Sequence, residues 1–432
     1  MKLNKFYKLI QYILPTGATI NLDSSQWWSY KKLKSFQNKR LREMINYCYH
    51  YISGYRKKFD QADIKPEDVQ TQEDLKKVPI IEKEELQNNP EFVNQKLVYM
   101  SQHTSGSTGV PLKYYESKKN YRVRLDSHLR GWAWNGYSPG KKLAVIASSQ
   151  GQLLYHNTLN LVGDLNTKNL KKMVRELFKF QPEYLRGYVG SLYILARYCL
   201  ENRIKITGIK AIIPISENLY DYQRKTIESI FNSSIFEEYC CNDGGACAWE
   251  CNQHQGLHYF MERSIIESIK GEMIVTDLWN KAMPFIRYKN GDAVRFFDKT
   301  CPCGRQLPLI KVKGRVNDFL VTKKGIIHPT LFAHRAIGGV GPTDQSRLDF
   351  KTGIRAIQYI QKKNYIVDVN LVKNEWCTEK EISRFKLELK HLLKGMRKIK
   401  LNFVEDIPAT GKGKRSFIIN EDKKLLNKYD HH

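Results

Sequence analysis

The run Thr104-Ser105-Gly106-Ser107-Thr108-Gly109-Val110-Pro111-Leu112-Lys113 decides how the rest of the chain is read. Its glycines let backbone N–H groups approach an anion closely, its hydroxyls donate further hydrogen bonds, and its lysine adds positive charge. Together these are the chemistry of a loop wrapped around polyphosphate. It is not a Walker A loop. That motif runs Gly-Lys-Ser/Thr into a helix, whereas Lys113 stands four positions beyond Gly109, past Pro111, in a Leu112, Tyr114, Tyr115 stretch that reads as a strand. A solvated turn has the same composition, so the run alone leaves both readings open.

Further segments, in a fixed order, favour the first reading. The run resembles the ATP-binding signature of adenylate-forming enzymes, most closely the phenylacetate–CoA ligase and capsular-polysaccharide (CapK-type) branch. Gly271-Glu272-Met273-Ile274-Val275-Thr276-Asp277-Leu278, with Pro284-Phe285-Ile286-Arg287-Tyr288 and Gly291-Asp292 after it, resembles that branch's strand and nucleotide-contact segment. Gly314-Arg315-Val316-Asn317-Asp318 resembles its interdomain hinge, and Gly411-Lys412-Gly413-Lys414-Arg415 its catalytic-lysine loop. The likeness runs from about residue 100 to the end; the first hundred residues fit more loosely.

The resemblance implies an α/β fold: a large N-terminal adenylate-forming domain, residues 1–316, and a small mobile α+β C-terminal domain, residues 317–432. The sequence patterns agree. Helical spacing over residues 36–58 and 117–135, with short apolar runs at 143–147 and 209–215, gives an α/β mixture. After the hinge segment, residues 356–360 and 365–371 read as strands around a Lys-Lys-Asn turn. Thr378 with Glu381 then makes a capping box ahead of Ile382, Phe385, Leu389, Leu392 and Leu393, and a strand follows near 401–404.

Composition bounds the partners. The formal charge of +27, from 71 Lys and Arg against 44 Asp and Glu, calls for anionic partners, and ATP, coenzyme A, anionic polysaccharide, lipid headgroups and nucleic acid all qualify. The lysines are dispersed, and no zinc-finger, RRM or helix-turn-helix pattern accompanies them, so no specific nucleic acid is expected. No apolar stretch approaches the roughly 18 to 20 residues needed to cross a bilayer, and a signal peptide is not evident, so the expected location is the cytoplasm. Lys2, Lys5 and Lys8 alternate with Leu3, Phe6, Tyr7, Leu9 and Ile10, a basic amphipathic pattern that suits either a membrane surface or packing on the protein's own domain.

The resemblance also assigns roles. The loop from Thr104 through Ser105, Gly106, Ser107 and Thr108 to Gly109, with Lys113, is to hold the β and γ phosphates of ATP with Mg²⁺ bridging their oxygens. Tyr239-Cys240-Cys241-Asn242-Asp243 stands where the wider family has Tyr-Gly-x-x-Glu, so Tyr239 is to lie by the adenine and Asp243 to bind magnesium. Cys240 replaces the usual glycine and the acid is one carbon shorter, which suits a metal held through water. Asp292 is to accept hydrogen bonds from the ribose hydroxyls, and Arg315 to face the nucleotide. At the hinge, Asn317 replaces the usual aspartate. The catalytic lysine is Lys412 if counted by Gly-Lys-x-x-Arg and Lys414 if counted back from the Phe417-Ile418-Ile419-Asn420 strand.

A second constellation concerns metal. Cys301-Pro302-Cys303-Gly304 is a tight thiolate pair, and Cys251 and His258 flank a Gly-Leu turn some fifty residues upstream. Three sulfurs and one imidazole complete a tetrahedral structural zinc site; His254 and Cys247 are competing ligands. Nine cysteines in a cytosolic chain argue against a disulfide framework. The expected reaction is ATP-dependent, AMP-forming activation of a small carboxylic acid, with a thiol such as coenzyme A, an amine or a sugar hydroxyl as acceptor. The acyl pocket is expected near Trp132, Trp134, Gly187, Tyr188 and Ser191. The departures at Cys240, Asp243 and Asn317 keep an alternative, a catalytically silent basic protein on the same scaffold that grips an anionic polymer or membrane.

Overall fold

The computed structural model describes residues 21–104, 112–146, 157–161, 165, 167–315, 320–323, 325–327, 353–373, 375, 377–407 and 418–422. The chain divides into two compact units, each made of separate stretches: Met1–Gly140 with Phe236–Lys313, and Lys141–Ile235 with Gly314–His432. The basic amphipathic pattern near the start of the chain and the hinge residues Asn317 and Asp318 lie outside the described residues.

In the first unit, helix Tyr30–Tyr51 begins where the Ser29 side chain accepts from the Lys32 backbone N–H. Leu33, Leu41, Met44, Ile45 and Cys48 recur at helical spacing and are buried. The single helical pattern read over 36–58 is broken at Ile52, whose backbone is extended, and resumes as helix Ser53–Gln61. Helix Lys118–Ala133 starts on Ser117, which accepts from Asn120 N. These elements close over Trp279, Phe285, Ile286 and Tyr288 to form one core, in which each buried large apolar side chain contributes roughly 1.5–3 kcal/mol.

A seven-stranded sheet carries the rest of this unit. Its spatial order is Ser264–Ile269, Glu272–Asp277, Tyr288–Phe296, Leu309–Arg315, Leu257–Tyr259, Ala246–Glu250, Glu238–Cys241. The sheet curls: Tyr239, on an edge strand, reaches Asp292 with three strands between them in the pairing order. A separate two-stranded hairpin, Val98–His103 with Lys113–Ser117, is antiparallel and pairs His103 with Lys113.

In the second unit a parallel sheet runs Thr158–Asn160, Leu143–Ile146, Tyr184–Tyr188, Ala211–Ile215. Helices Thr167–Phe180 and Val189–Glu201 provide crossovers of the kind that parallel strands require, and helix Asp221–Phe231 follows the last strand. The C-terminal portion holds a four-stranded sheet in the order Lys398–Phe403, Ile366–Lys373, Ile354–Lys362, Ile418–Asn420. Its central hairpin turns through Asn364 and Tyr365, both at positive φ. Helix Glu379–Leu392 starts on the expected Thr378–Glu381 box and buries Ile382, Phe385 and Leu389, the last two in one cluster with Tyr359, Val367 and Leu371.

Candidate functional site

Three of the expected nucleotide residues come together on the curled sheet. The Tyr239 hydroxyl donates to Asp292 Oδ2 at 2.6 Å, Asn290 Nδ2 donates to the Tyr239 oxygen at 3.0 Å, and Asp292 N donates to Asn290 Oδ1 at 3.0 Å. Burial, and then the Asp292 carboxylate, push the Tyr239 phenol well above its ordinary value, so it stays protonated and donates. Asp243 follows the same edge strand. Its Oδ2 accepts from the Tyr288 hydroxyl at 3.3 Å and its Oδ1 from Cys241 Sγ at 3.3 Å. Gly244 and Gly245 beyond it have φ of +105° and +75°, and a Cβ on Gly245 would stand 2.5 Å from Asp277 Oδ2, so this bend requires glycine.

Sequence reasoning missed Asn290 and, though it placed Tyr288 in the nucleotide-contact segment, gave that residue no role of its own. Tyr288, Asn290 and Asp292 are spaced two apart on one strand, and alternate residues of a strand share a face. That spacing was a usable signal once Asp292 had been chosen.

The hairpin supports the ends of the glycine-rich run. Thr104 N donates to Leu112 O at 2.9 Å and Leu112 N donates to Thr104 Oγ1 at 2.9 Å, so the Thr104 hydroxyl helps close the hairpin. Lys113 opens the second strand and its ammonium lies 5.4 Å from the centre of the Tyr115 ring. Ser105, Gly106, Ser107, Thr108 and Gly109 lie outside the described residues, as do Lys412 and Lys414. Arg315 ends the strand Leu309–Arg315, with only its backbone described. Arg287 in the Pro-Phe-Ile-Arg-Tyr segment is a brace: it pairs with Glu267 at 2.9 Å and donates to Val78 O at 2.6 Å.

Cys251, His258, Cys301 and Cys303 form a second centre in the same unit, with their ligand atoms all within 4.8 Å of one another. Cys251 Sγ lies 3.6 Å from Cys301 Sγ, and Cys303 Sγ 3.3 Å from His258 Nε2. Tetrahedral zinc with bonds near 2.3 Å to sulfur and 2.0–2.1 Å to nitrogen would need S···S and S···N separations of about 3.5–3.8 Å, so these two pairs stand near the spacing such an ion requires and the donor types suit it. His258 Nδ1 faces Leu307 O at 3.2 Å, which holds the proton there and leaves Nε2 as the ligand atom. Burial lowers the imidazole to about 4, keeping it neutral, and pushes the Cys251 thiol up to about 12. The Cys303 thiol is lowered: burial opposes this, but hydrogen bonds from Arg305 outweigh it.

Strand pairing brings these four residues together. Leu309 pairs with His258, which returns the Cys301–Cys303 loop to the turn between Cys251 and Leu257. Gly304 N donates to Cys301 O at 3.2 Å, and Gly304 has φ +86°. His254 pairs instead with Glu250 at 3.0 Å and lies against Phe236, and Cys247 is buried within its strand, so neither competing ligand joins the cluster. Trp134 sets its edge against His258, and Trp132 is buried with its Nε1 donating to Glu238 at 2.6 Å. Gly187, Tyr188 and Ser191 stand in the second unit, on the strand Tyr184–Tyr188 and the helix Val189–Glu201.

The arrangement of these sheets is shared with solved acyl-CoA ligases. The chain superposes on the crystal structure of 2-hydroxyisobutyryl-CoA ligase in the postadenylation state, in complex with R3-HIB-AMP, with a TM-score of 0.73. Identity there is 16%, over 95% of this chain and 96% of that one. The family model for the CapK C-terminal domain matches residues 345–421. Protein CapK of Staphylococcus aureus is 27% identical over 426 residues, covering 90% of each chain. A phenylacetate-coenzyme A ligase of Thermus thermophilus is 23% identical over 332 residues, 69% of this chain and 74% of that protein. The chain is thus similar to the phenylacetate-coenzyme A ligases and to protein CapK, and shares its fold with an acyl-CoA ligase of the adenylate-forming kind.

Proposed function

We propose that the chain is an ATP-dependent, AMP-forming ligase that activates a small or aryl carboxylic acid and passes it to a thiol. The observation that carries this reading is the hydrogen bond from Tyr239 to Asp292, braced by Asn290, which joins the two residues that the family resemblance assigns to adenine and ribose. Phenylacetate-coenzyme A ligases among the relatives support an acid–CoA reaction. In the first step a carboxylate oxygen attacks the α-phosphorus of ATP, the bond to the β-phosphate bridging oxygen breaks, and pyrophosphate leaves. In the second, the acceptor sulfur attacks the acyl carbon, AMP departs, and the thiol proton is lost to solvent.

The chain's own groups serve these steps in order. Asp292 accepts from the ribose hydroxyls and fixes the α-phosphorus relative to the acid. The loop from Thr104 to Gly109, with Lys113, donates to the outgoing pyrophosphate, and one of Lys412 and Lys414 neutralises charge on the transferring group. Asp243 is the residue to hold magnesium, which neutralises phosphate oxygens when bound. Cys251, His258, Cys301 and Cys303 are to hold a structural zinc that offers no open position for chemistry. Residues 317–432 are the proposed mobile lid, turning about 316.

The CapK relative is the reason for assigning the reaction to surface-polysaccharide decoration, in which an amine or sugar hydroxyl replaces the thiol as acceptor. All nine cysteines are free, which suits a reducing compartment, and the cytoplasm is the proposed location. Among the described residues no helix is long and apolar enough to cross a membrane. The ligase relatives do not favour a catalytically silent scaffold. ATP–pyrophosphate exchange across a panel of carboxylic acids tests the reading: exchange with one acid or a small set is expected, and absence with every acid would refute it.

A further inference from the structure

The net charge of +27 exceeds what a nucleotide site uses, and one place on the first unit concentrates it in a shaped surface. Lys31, Lys34, Ser35, Asn38 and Arg42 follow one another along one face of helix Tyr30–Tyr51 and line an open cleft of about 300 Å³. The segment 70–73 is tied to this face by the same side chains. Asn38 Oδ1 accepts from Gln72 N at 3.1 Å, Arg42 Nη1 donates to Gln70 O at 3.0 Å, and Lys34 pairs with Glu73 at 2.5 Å. The cleft is therefore preformed. Its lining offers three cations, a hydroxyl and an amide, against the single acid Glu73.

Two aromatic rings stand exposed at the same end of the helix. Tyr30, its first residue, is 48% exposed, and Trp27, three residues earlier, is 54% exposed with the Arg305 guanidinium over its ring at 4.7 Å. Aromatic rings of this kind settle at the headgroup level of a bilayer, and each nearby lysine or arginine adds attraction to anionic lipid. A small dissolved anion would have no use for the exposed rings. We infer that this face docks on an anionic membrane surface, with a lipid phosphodiester headgroup seated between Lys31, Lys34 and Arg42. Docking there would hold the ligase peripherally, where a membrane-linked acceptor is within reach.

The test is flotation of the full chain with vesicles of phosphatidylcholine alone and of phosphatidylcholine with phosphatidylglycerol. Binding to the anionic vesicles only, weakened by salt, is expected. The triple change Lys31→Glu, Lys34→Glu, Arg42→Glu should lower the bound-to-free ratio at least tenfold, since each cation near the surface is worth about fivefold. An equal charge change on the exposed lysines of the second unit, Lys205→Glu, Lys225→Glu and Lys380→Glu, should leave most binding intact. Soluble glycerol phosphate at millimolar concentration should compete weakly at most. Equal loss in both triple variants would assign the effect to overall charge and overturn the inference. So would unchanged binding in the first variant, no binding to either vesicle, or capture by a soluble polyanion such as polyphosphate without binding to vesicles. Matching thermal melts of the variants and the parent exclude unfolding, and the neutral set Lys31→Gln, Lys34→Gln, Arg42→Gln replaces the first variant if its melt differs.

Discussion

Removing metal from the Cys251, His258, Cys301, Cys303 cluster should loosen the first unit by an amount the geometry sets. The cluster ties positions 50 residues apart, Cys251 and Cys301. By the chain-entropy relation for cross-links, closing a loop of that length is worth roughly 4 kcal/mol. In a unit of this size each kcal/mol moves the melting midpoint by about 2–4 °C, so a strong chelator should lower it by about 8–16 °C. Differential scanning fluorimetry with and without chelator measures this, paired with metal analysis of protein purified from metal-replete medium. Cys301→Ser should melt near the chelated parent and respond little to chelator, because metal stabilises only where its full ligand set exists. Cys247→Ser, outside the cluster, should keep the chelator response. Less than half an equivalent of zinc per chain, or a chelator shift equally large in Cys301→Ser and the parent, would refute the reasoning.

Four further outcomes are expected. Of Lys412→Ala and Lys414→Ala, one should lower ATP–pyrophosphate exchange by about 10²–10³, as loss of a donor to the reacting centre does, and the other should change it little; full activity in both would remove the tail from the mechanism. Asp292→Asn should raise the KM for ATP by about 10- to 100-fold, since hydrogen bonds to a charged group are worth about 1.5–3 kcal/mol; an unchanged KM would contradict the ribose role. Burial, with the Asp23 carboxylate nearby, raises the Asp126 carboxyl from 3.8 to about 6, so the folded chain holds the extra proton between those values and stability falls as pH rises through them. Asp126→Asn should therefore be near neutral in melts at pH 4 and stabilising by roughly 1–2 kcal/mol at pH 7.5. Gly131→Ala would put a Cβ 2.3 Å from the Trp249 ring, and urea unfolding should show a loss of about 1–3 kcal/mol or more.

The parts of the molecule that sequence exposed are those whose physics is local. The Thr378–Glu381 box, the hairpin around Asn364 and the strand at 143–146 each depend on residues within a few positions of one another. The four metal-cluster residues were legible as a candidate group from their residue types and spacing, and Tyr239 and Asp292 were singled out through the family resemblance. Asn290 and Tyr288 were not, since their roles arise only when the sheet curls and brings residue 239 to residue 292, some fifty positions away. The division into units was hidden for a related reason. The chain passes between units after Gly136-Tyr137-Ser138-Pro139-Gly140 and after Ser233-Ser234, runs short enough to read as ordinary loops between elements, whereas the hinge-like segment near 316 suggested a single boundary.

The two centres are mechanically related through the sheet. The strand Ala246–Glu250, which leads directly into Cys251, pairs antiparallel with the strand that carries Tyr239, with Tyr239 opposite Ala248. On its other side it pairs with Leu257–Tyr259, which carries His258, and that strand in turn pairs with Leu309 and Ile310, just after Cys301 and Cys303. A metal bound by these four residues therefore clamps three consecutive strands of the curl at one end. Tyr239 is one strand further on, and its 2.6 Å bond to Asp292 spans the curl. Under the proposed function this gives the cluster a reason to lie on the same sheet as Asp292 while contributing no ligand to the reaction: a bound metal would brace the curvature on which the position of that carboxylate depends.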